Sequence, residues 1–144
     1  MNQPTRLLDV NVLIALTNPA HIHHTAAHRW FPAVDSWATT PLTQSAFIRL
    51  MLNPAVAGDT LGTAEVLGVL ARLTALTGHT LWADDTSLLR PEINLAGLVG
   101  HKQVTAFHLL NLAAKREGVL ATFDRAILRA LVTTDHHLVE VIGA

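Results

Sequence analysis

Short apolar segments that suit β-strands alternate with segments of helical periodicity along the whole chain. Such alternation is typical of βαβ units, in which successive strands run parallel and the connecting helices cover the sheet. We therefore expect an α/β fold in three layers, with a central, mainly parallel sheet and helices on both faces. The predicted strands run from Arg6 to just before Asp9 and over residues 37–40, 79–82, 119–122 and 138–142.

The predicted helices begin and end at residues that favour helix termini. Pro41 opens one helix, and Gly78 and Gly118 end two others. A weaker helical pattern precedes Gly97. No internal repeat or linker interrupts the alternation, which predicts one domain over residues 1–144. The stronger helical patterns continue from the first strand to Asn18 and cover residues 25–31, 41–52, 63–76, 104–117 and 125–132.

The composition excludes several classes of protein. Half of the 144 residues are apolar and 15% are charged, which suits a packed globule. The chain has no cysteine, so thiolate zinc sites and thiol nucleophiles are excluded. No apolar run is long enough to span a membrane and no signal peptide is recognisable, so we expect a cytoplasmic protein. The formal net charge is −1, so any binding of nucleic acid needs a local basic patch.

Two aspartates stand where predicted strands end. Asp9 closes the first strand, and Asp124 follows the strand over residues 119–122. In a parallel sheet both positions lie on one rim, at the carboxyl ends of the strands, where such folds bind ligands. Two carboxylates there suit Mg²⁺, which can lower the pKa of a bound water and neutralise charge on a phosphate. The alternative is that each aspartate only caps the helix that follows it.

Four segments, in this order, carry a recognisable pattern over most of the chain. They read Leu-Leu-Asp-Val-Asn-Val-Leu-Ile-Ala-Leu at 7–16, Trp-Ala-Thr-Thr-Pro-Leu-Thr-Gln at 37–44, Gln-Val-Thr-Ala-Phe-His-Leu-Leu at 103–110 and Leu-Ala-Thr-Phe-Asp-Arg at 120–125. Together they resemble the acidic motifs of PIN-domain proteins, especially bacterial VapC toxins. A lone Asp-Val-Asn is a weak signal, but four ordered matches are a strong one.

The resemblance implies a fold, an activity and partners. It implies a PIN domain that acts as a magnesium-dependent endoribonuclease, with Mn²⁺ as an alternative cation. Asp9 and Asp124 would be catalytic residues and metal ligands. The implied partners are RNA, a VapB-type antitoxin that blocks the site, and a second copy of the chain in a homodimer. The expected substrates are structured or single-stranded cellular RNAs that present the cleaved segment in a loop, because sequence is read in unpaired RNA.

Two positions depart from the family's pattern. Gln44 stands where the family often has Glu; its amide oxygen can ligate weakly but brings no negative charge, so we expect a weak contribution to catalysis. Ala106 stands at the position of a ligand Asp and cannot bind a metal. Losing two negative groups weakens the attraction for a divalent cation. Two hypotheses therefore stay open, a weakened or inactive ribonuclease and a PIN-fold module that binds antitoxin or RNA without cleaving it.

Polar residues near these motifs are candidates for supporting roles. Asn11 would orient the first aspartate or a water, and Thr105 and Thr122 would hydrogen-bond the carboxylates. Helix caps and turns are the alternative roles. Arg49 and Arg125 would bind RNA phosphate, with a structural ion pair as the alternative for Arg49.

Two further groups of polar residues have structural explanations. His24 and His28 stand four apart like a helical zinc pair, but the glutamate of the metalloprotease motif and a third ligand are missing. We favour a solvated helix start there. Asp84 and Asp85 are expected to form a turn and cap a following helix, with added negative charge at the rim as the alternative.

Overall fold

The computed structural model describes residues 3–143, and within them five strands form one sheet in the order β3-β2-β1-β4-β5. Every neighbouring pair of strands is parallel, so the expected α/β sheet is confirmed. The strands are β1 (Arg6–Leu8), β2 (Trp37–Thr39), β3 (His79–Leu81), β4 (Val119–Thr122) and β5 (Val139–Val141).

Helices connect the strands. None of them, among the residues that the structure describes, is long and apolar enough to cross a membrane. Short 3₁₀ helices lie over Phe31–Ala33, His101–Gln103 and Thr133–Leu138. The α-helices are α1 (Val10–Thr17), α2 (His24–Trp30), α3 (Pro41–Met51), α4 (Pro54–Ala57), α5 (Thr63–Thr74), α6 (Val104–Lys115) and α7 (Ala126–Ala130).

The side chains of β1 divide between two hydrophobic cores, as the alternation of a strand requires. Leu8 packs with Trp37 and Ala121 against apolar residues of α1, α3 and α5. Leu7 packs with Ala38 and Leu120 against apolar residues of α6. Burying each of these leucines contributes about 1.5–3 kcal/mol, so both layers hold the central strand in place.

The order of the strands places a crevice beside β1. The chain moves to one side of β1 when it forms β2 and β3, and then returns to the other side for β4 and β5. The connections therefore diverge at the carboxyl ends of β1 and β4, and such a switch point is where open α/β sheets bind their ligands. Asp9 and Asp124 follow these two strands.

Two local predictions were wrong, namely the helix before Gly97 and the capping of a following helix by Asp84 and Asp85. Residues 82–100 contain only turns and bends, although a weak helical pattern runs through them. Asp84 and Asp85 consequently have no adjacent α-helix to cap. Pro54 opens the one-turn helix α4, because Asn53 caps it by accepting a hydrogen bond from the backbone N–H of Ala55. The 3₁₀ helix Thr133–Leu138 lies just before β5, which begins one residue later than predicted.

Candidate active site

Asp9 lies at the end of β1 and is the N-cap of α1. Its backbone N–H donates to Ala121 of β4 at 3.0 Å, which continues the pairing of the two strands to this residue. One carboxylate oxygen accepts a hydrogen bond from the Val10 N–H at 2.8 Å. The other accepts from the Thr122 hydroxyl, also at 2.8 Å. Asp9 therefore caps a helix, as the simpler hypothesis held, and also reaches across to the end of β4.

Thr122 joins the residues on both sides of the crevice. Besides donating to Asp9, its buried hydroxyl accepts hydrogen bonds from the Asn11 side-chain amide at 3.2 Å and from the Asp124 N–H at 3.1 Å. The Asn11 amide oxygen in turn accepts from the Phe123 N–H at 3.3 Å. Two predicted supporting residues, Asn11 and Thr122, thus lie in one hydrogen-bond network with Asp9. Their role in catalysis stays a prediction.

Asp124 is exposed at the rim, and its carboxylate accepts from the Ala126 N–H at 2.9 Å at the start of α7. The two aspartates interact electrostatically. Burial raises the pKa of Asp9 above the ordinary 3.8, and the negative charge of Asp124 raises it further. The hydrogen bonds from Thr122 and Val10 act in the opposite direction. Without a cation, charge on Asp9 is therefore disfavoured, and a bound cation would relieve this.

Comparison with known proteins identifies the family. Over 129 residues, 85% of this chain and 91% of the relative, the chain is 45% identical to ribonuclease VapC39 of Mycobacterium tuberculosis. It is also 45% identical to ribonuclease VapC38 over 123 residues and 39% identical to ribonuclease VapC29 over 124, both from the same species, with similar coverage. The chain belongs to the VapC ribonuclease family. No protein-family model matches it.

Gln44, where the VapC pattern often has Glu, is held by the end of β2. Its side-chain amide donates to the Thr39 hydroxyl at 3.0 Å, and this hydroxyl lies 2.7 Å from Nε2 of His79 in β3. Burial lowers the pKa of His79, which favours a neutral ring whose Nε2 can accept a hydrogen bond from the Thr39 hydroxyl. Within residues 3–143, no hydrogen bond joins Gln44 to either aspartate of the crevice.

Ala106, in the first turns of α6, faces Asp124 across a small cavity. The cavity has a volume of about 70 Å³, and its lining includes Lys102 and Gln103. Ala106 and Asp124 thus share the lining of this cavity. Among residues 3–143, no group of three or more acidic, histidine or cysteine side chains is placed to hold a metal ion. Lys102 was missed from sequence, although it stands one helical turn before Ala106.

The remaining predicted site residues of this VapC-family chain lie farther from the network. Thr105 is exposed and makes no side-chain hydrogen bond within residues 3–143. Arg125 is exposed beside Asp124, and its guanidinium donates to the Gly143 carbonyl at 3.3 Å. Arg49 is exposed in the last turn of α3, about 12 Å along that helix from the rim. RNA binding by both arginines stays a prediction.

His24 and His28 have a structural role that the zinc pattern does not suggest. Their rings donate to the Ala15 and Leu16 carbonyls at 2.7 and 2.8 Å, and both carbonyls belong to the last turn of α1. Such carbonyls lack partners within their own helix, so the two rings complete its hydrogen bonding. They thereby fix α2 against the helix that Asp9 caps.

Asp84 connects elements on the other side of the rim. It accepts from the Leu42 N–H at 2.9 Å, in the first turn of α3, and pairs with His108 of α6 at 3.0 Å. Asp85 instead pairs with Arg116 at 2.9 Å and with Lys115 at 3.5 Å. The acidic pair therefore ties residues 82–100 to α3 and α6, and neither carboxylate contacts the network around Thr122.

Proposed function

We propose that this chain is a single PIN domain that acts as a cation-dependent endoribonuclease toxin of the VapC type. The observation that carries the proposal is the meeting of Asp9, Thr122 and Asp124 at the switch point between β1 and β4. Such a crevice, with two carboxylates on its rim, suits the binding and hydrolysis of a phosphodiester. The relatives' names, which call them ribonucleases, indicate RNA as the substrate.

The carboxylates fit Mg²⁺, or Mn²⁺ as an alternative. Mg²⁺ is commonly held by one or two carboxylates, and it keeps several waters. Asp9 and Asp124 would hold it, and its charge would offset the burial and the nearby negative charge of Asp124, which together raise the pKa of Asp9. When bound, the cation would supply charge stabilisation at the phosphate and a more acidic water. With Ala106 in place of an acid, the affinity would be low.

The residues around the two aspartates would have separate roles in orienting Asp9 and in binding RNA. Thr122 would orient Asp9, because its hydroxyl donates to one carboxylate oxygen, and Asn11 would orient Thr122 by donating to that hydroxyl. Lys102 and Arg125 would bind the RNA phosphates beside Asp124, since both are cations on adjoining segments. Gln44 would contribute only its neutral amide.

The proposed partners follow from the family. A VapB-type antitoxin would cover the crevice and block access of RNA to the acids. Two copies of the chain would form a homodimer in the cytoplasm.

A second function is favoured by one specific observation. Ala106 faces the cavity beside Asp124 and leaves the site with two acids. A chain in this state could bind antitoxin or RNA and fail to cleave it. The competing proposals differ in whether the rest of the site is intact.

Restoring the missing carboxylate tests the proposed function. We expect Ala106→Asp to bind Mn²⁺ at least about tenfold more tightly, because a third acid joins the site. Titration calorimetry with Mn²⁺ measures the binding, and cleavage of a labelled single-stranded RNA in Mg²⁺ or Mn²⁺ measures the activity. Ala71→Asp, which adds the same charge on an exposed position of α5, is the control.

The outcomes separate the two functions. Cleavage by the unmodified chain and faster cleavage by Ala106→Asp support the nuclease. A variant that binds Mn²⁺ tightly and leaves RNA intact favours the binding module. If Ala106→Asp binds the cation no better than Ala71→Asp, Asp9 and Asp124 do not form a cation site.

A further inference from the structure

A pair of stacked aromatic rings lies next to the carboxyl end of β4. The rings of His23 and Phe123 lie parallel, with 4.4 Å between their centroids and 4° between their planes. Phe123 directly precedes Asp124, so this stack adjoins the crevice between β1 and β4. Neither the sequence pattern nor the network around Thr122 assigns it a function.

The stack is anchored on the side of Phe123. This ring packs against the core that holds α1, and its backbone N–H donates to the Asn11 side chain at 3.3 Å. His23 is the outer member, on the loop that leads into α2. Its backbone N–H donates to the His21 ring at 3.0 Å, which fixes the loop. The outer ring therefore has a defined position relative to Phe123 and the end of β4.

His23 contributes little to the fold through hydrogen bonds. Its ring makes no hydrogen bond within residues 3–143, whereas the rings of His24 and His28 complete the end of α1. It stands at the N-cap position of α2 without a side-chain capping bond. His21 lies 5.7 Å from it at a tilt of 44°, so His21 does not stack on it in parallel. A half-exposed ring without a hydrogen-bond partner is thus held against Phe123, the residue that precedes Asp124.

We propose that His23, backed by Phe123, is a stacking surface for a nucleobase of single-stranded RNA next to the phosphate to be cleaved. The inference rests on the proposed nuclease function. Aromatic and imidazole rings bind unpaired bases by stacking, and stacking tolerates any base. A base held there would place its neighbouring phosphate close to Asp124. Paired RNA would be excluded, because its bases are already stacked on each other.

Binding of RNA without divalent cation tests this proposal. The probe is a short, labelled single-stranded RNA of mixed sequence, measured by fluorescence anisotropy in the presence of chelator. We expect His23→Ala to weaken binding by about 5- to 160-fold, the range for loss of one stacked base. His23→Phe keeps a ring and should restore the affinity. Ile22→Ala, at a position 88% exposed in the same loop, should bind like the unmodified chain.

A second probe isolates the base from the phosphate. Replacing single nucleotides of the RNA by abasic ones should weaken binding to the unmodified chain at one position and leave binding to His23→Ala unchanged there. An affinity equal in the unmodified chain and in His23→Ala overturns the stacking surface while leaving the nuclease standing. Failure of the unmodified chain to bind RNA overturns both. If His23→Ala weakens binding of the antitoxin's tail and leaves RNA binding unchanged, the ring serves a protein partner and the proposal is wrong.

Discussion

At the scale of single residues, one hydroxyl group organises the candidate site. Thr122 donates one hydrogen bond and accepts two, which is the full capacity of a threonine hydroxyl. Because the hydroxyl donates its hydrogen to Asp9, this hydrogen bond favours the ionised carboxylate. Burial nevertheless disfavours that ionised form. A bound cation would favour the ionised form.

Asp9 should make the stability of the cation-free protein depend on pH. Its raised pKa means that the folded state holds a proton more tightly than the unfolded state. The contribution of Asp9 to the free energy of unfolding is thus present at low pH, and it is lost as pH rises from 3.8 through the folded pKa. Thermal unfolding in chelator should show this loss, and Mn²⁺ should reverse it above the raised pKa.

Replacement by the neutral amide provides the comparison. Asp9→Asn should lack this part of the pH dependence and should lose the stabilisation by Mn²⁺. Asp35→Asn, at an exposed position, should keep both. If unfolding of the unmodified chain and of Asp9→Asn follows the same pH profile, Asp9 is ionised normally and the electrostatic basis for a cation site is removed.

At the scale of elements, α6 forms hydrogen bonds to residues 82–100, the longest segment without a helix or strand within residues 3–143. The fully buried Asn111 accepts from the Glu92 N–H at 2.6 Å and donates to Thr86 and to the Ser87 carbonyl at 2.8 and 3.2 Å. One buried side chain thus supplies three of the hydrogen bonds that hold residues 82–100 in place. Asn111→Ala should cost about 1–3 kcal/mol in the free energy of unfolding, because it leaves buried polar groups unpaired.

Urea unfolding measures this cost, and limited proteolysis detects the release of the segment. The control is Asn53→Ala, which removes an exposed helix cap at a cost of about 1 kcal/mol. It should leave cleavage within residues 82–100 unchanged. Equal protease resistance of Asn111→Ala and the unmodified chain would show that the segment is held by its other contacts.

The elements also show what sequence could predict. The strands and the helices α1, α3, α5 and α6 were predicted to within a few residues, because each has a periodic apolar face and a marked terminus. The irregular structure of residues 82–100 was not predicted, because it depends on hydrogen bonds to Asn111, which is distant in sequence, and the local helical pattern is weak. Within the site, the meeting of Asp9 and Asp124 followed from strand polarity. The contacts of Lys102 and the stacking of His23 depend on packing between elements, which spacing along the chain does not encode.

At the scale of the whole molecule, charge limits how RNA can bind. Ten lysines and arginines stand against eleven acids, so the long-range field is weak. Under the proposed function, attraction would come from Lys102 and Arg125 beside Asp124, together with the exposed Arg129 four residues after Arg125. When the logarithm of the binding constant is plotted against the logarithm of the salt concentration, three phosphate contacts with single-stranded RNA correspond to a slope of about −2.

Variants that each lack one arginine should show how much that arginine contributes to the slope. Arg125→Ala should make it shallower by about 0.7, the value for one contact with a single strand. Arg49→Ala should change it less, because Arg49 lies far along α3 from the rim. Arg72→Ala is the control, since α5 leads into β3 and its last turn lies at the opposite edge of the sheet. Affinities measured in chelator at several salt concentrations give the slopes. A steep slope that Arg125→Ala leaves unchanged would place the RNA on another face of the molecule, away from both acids.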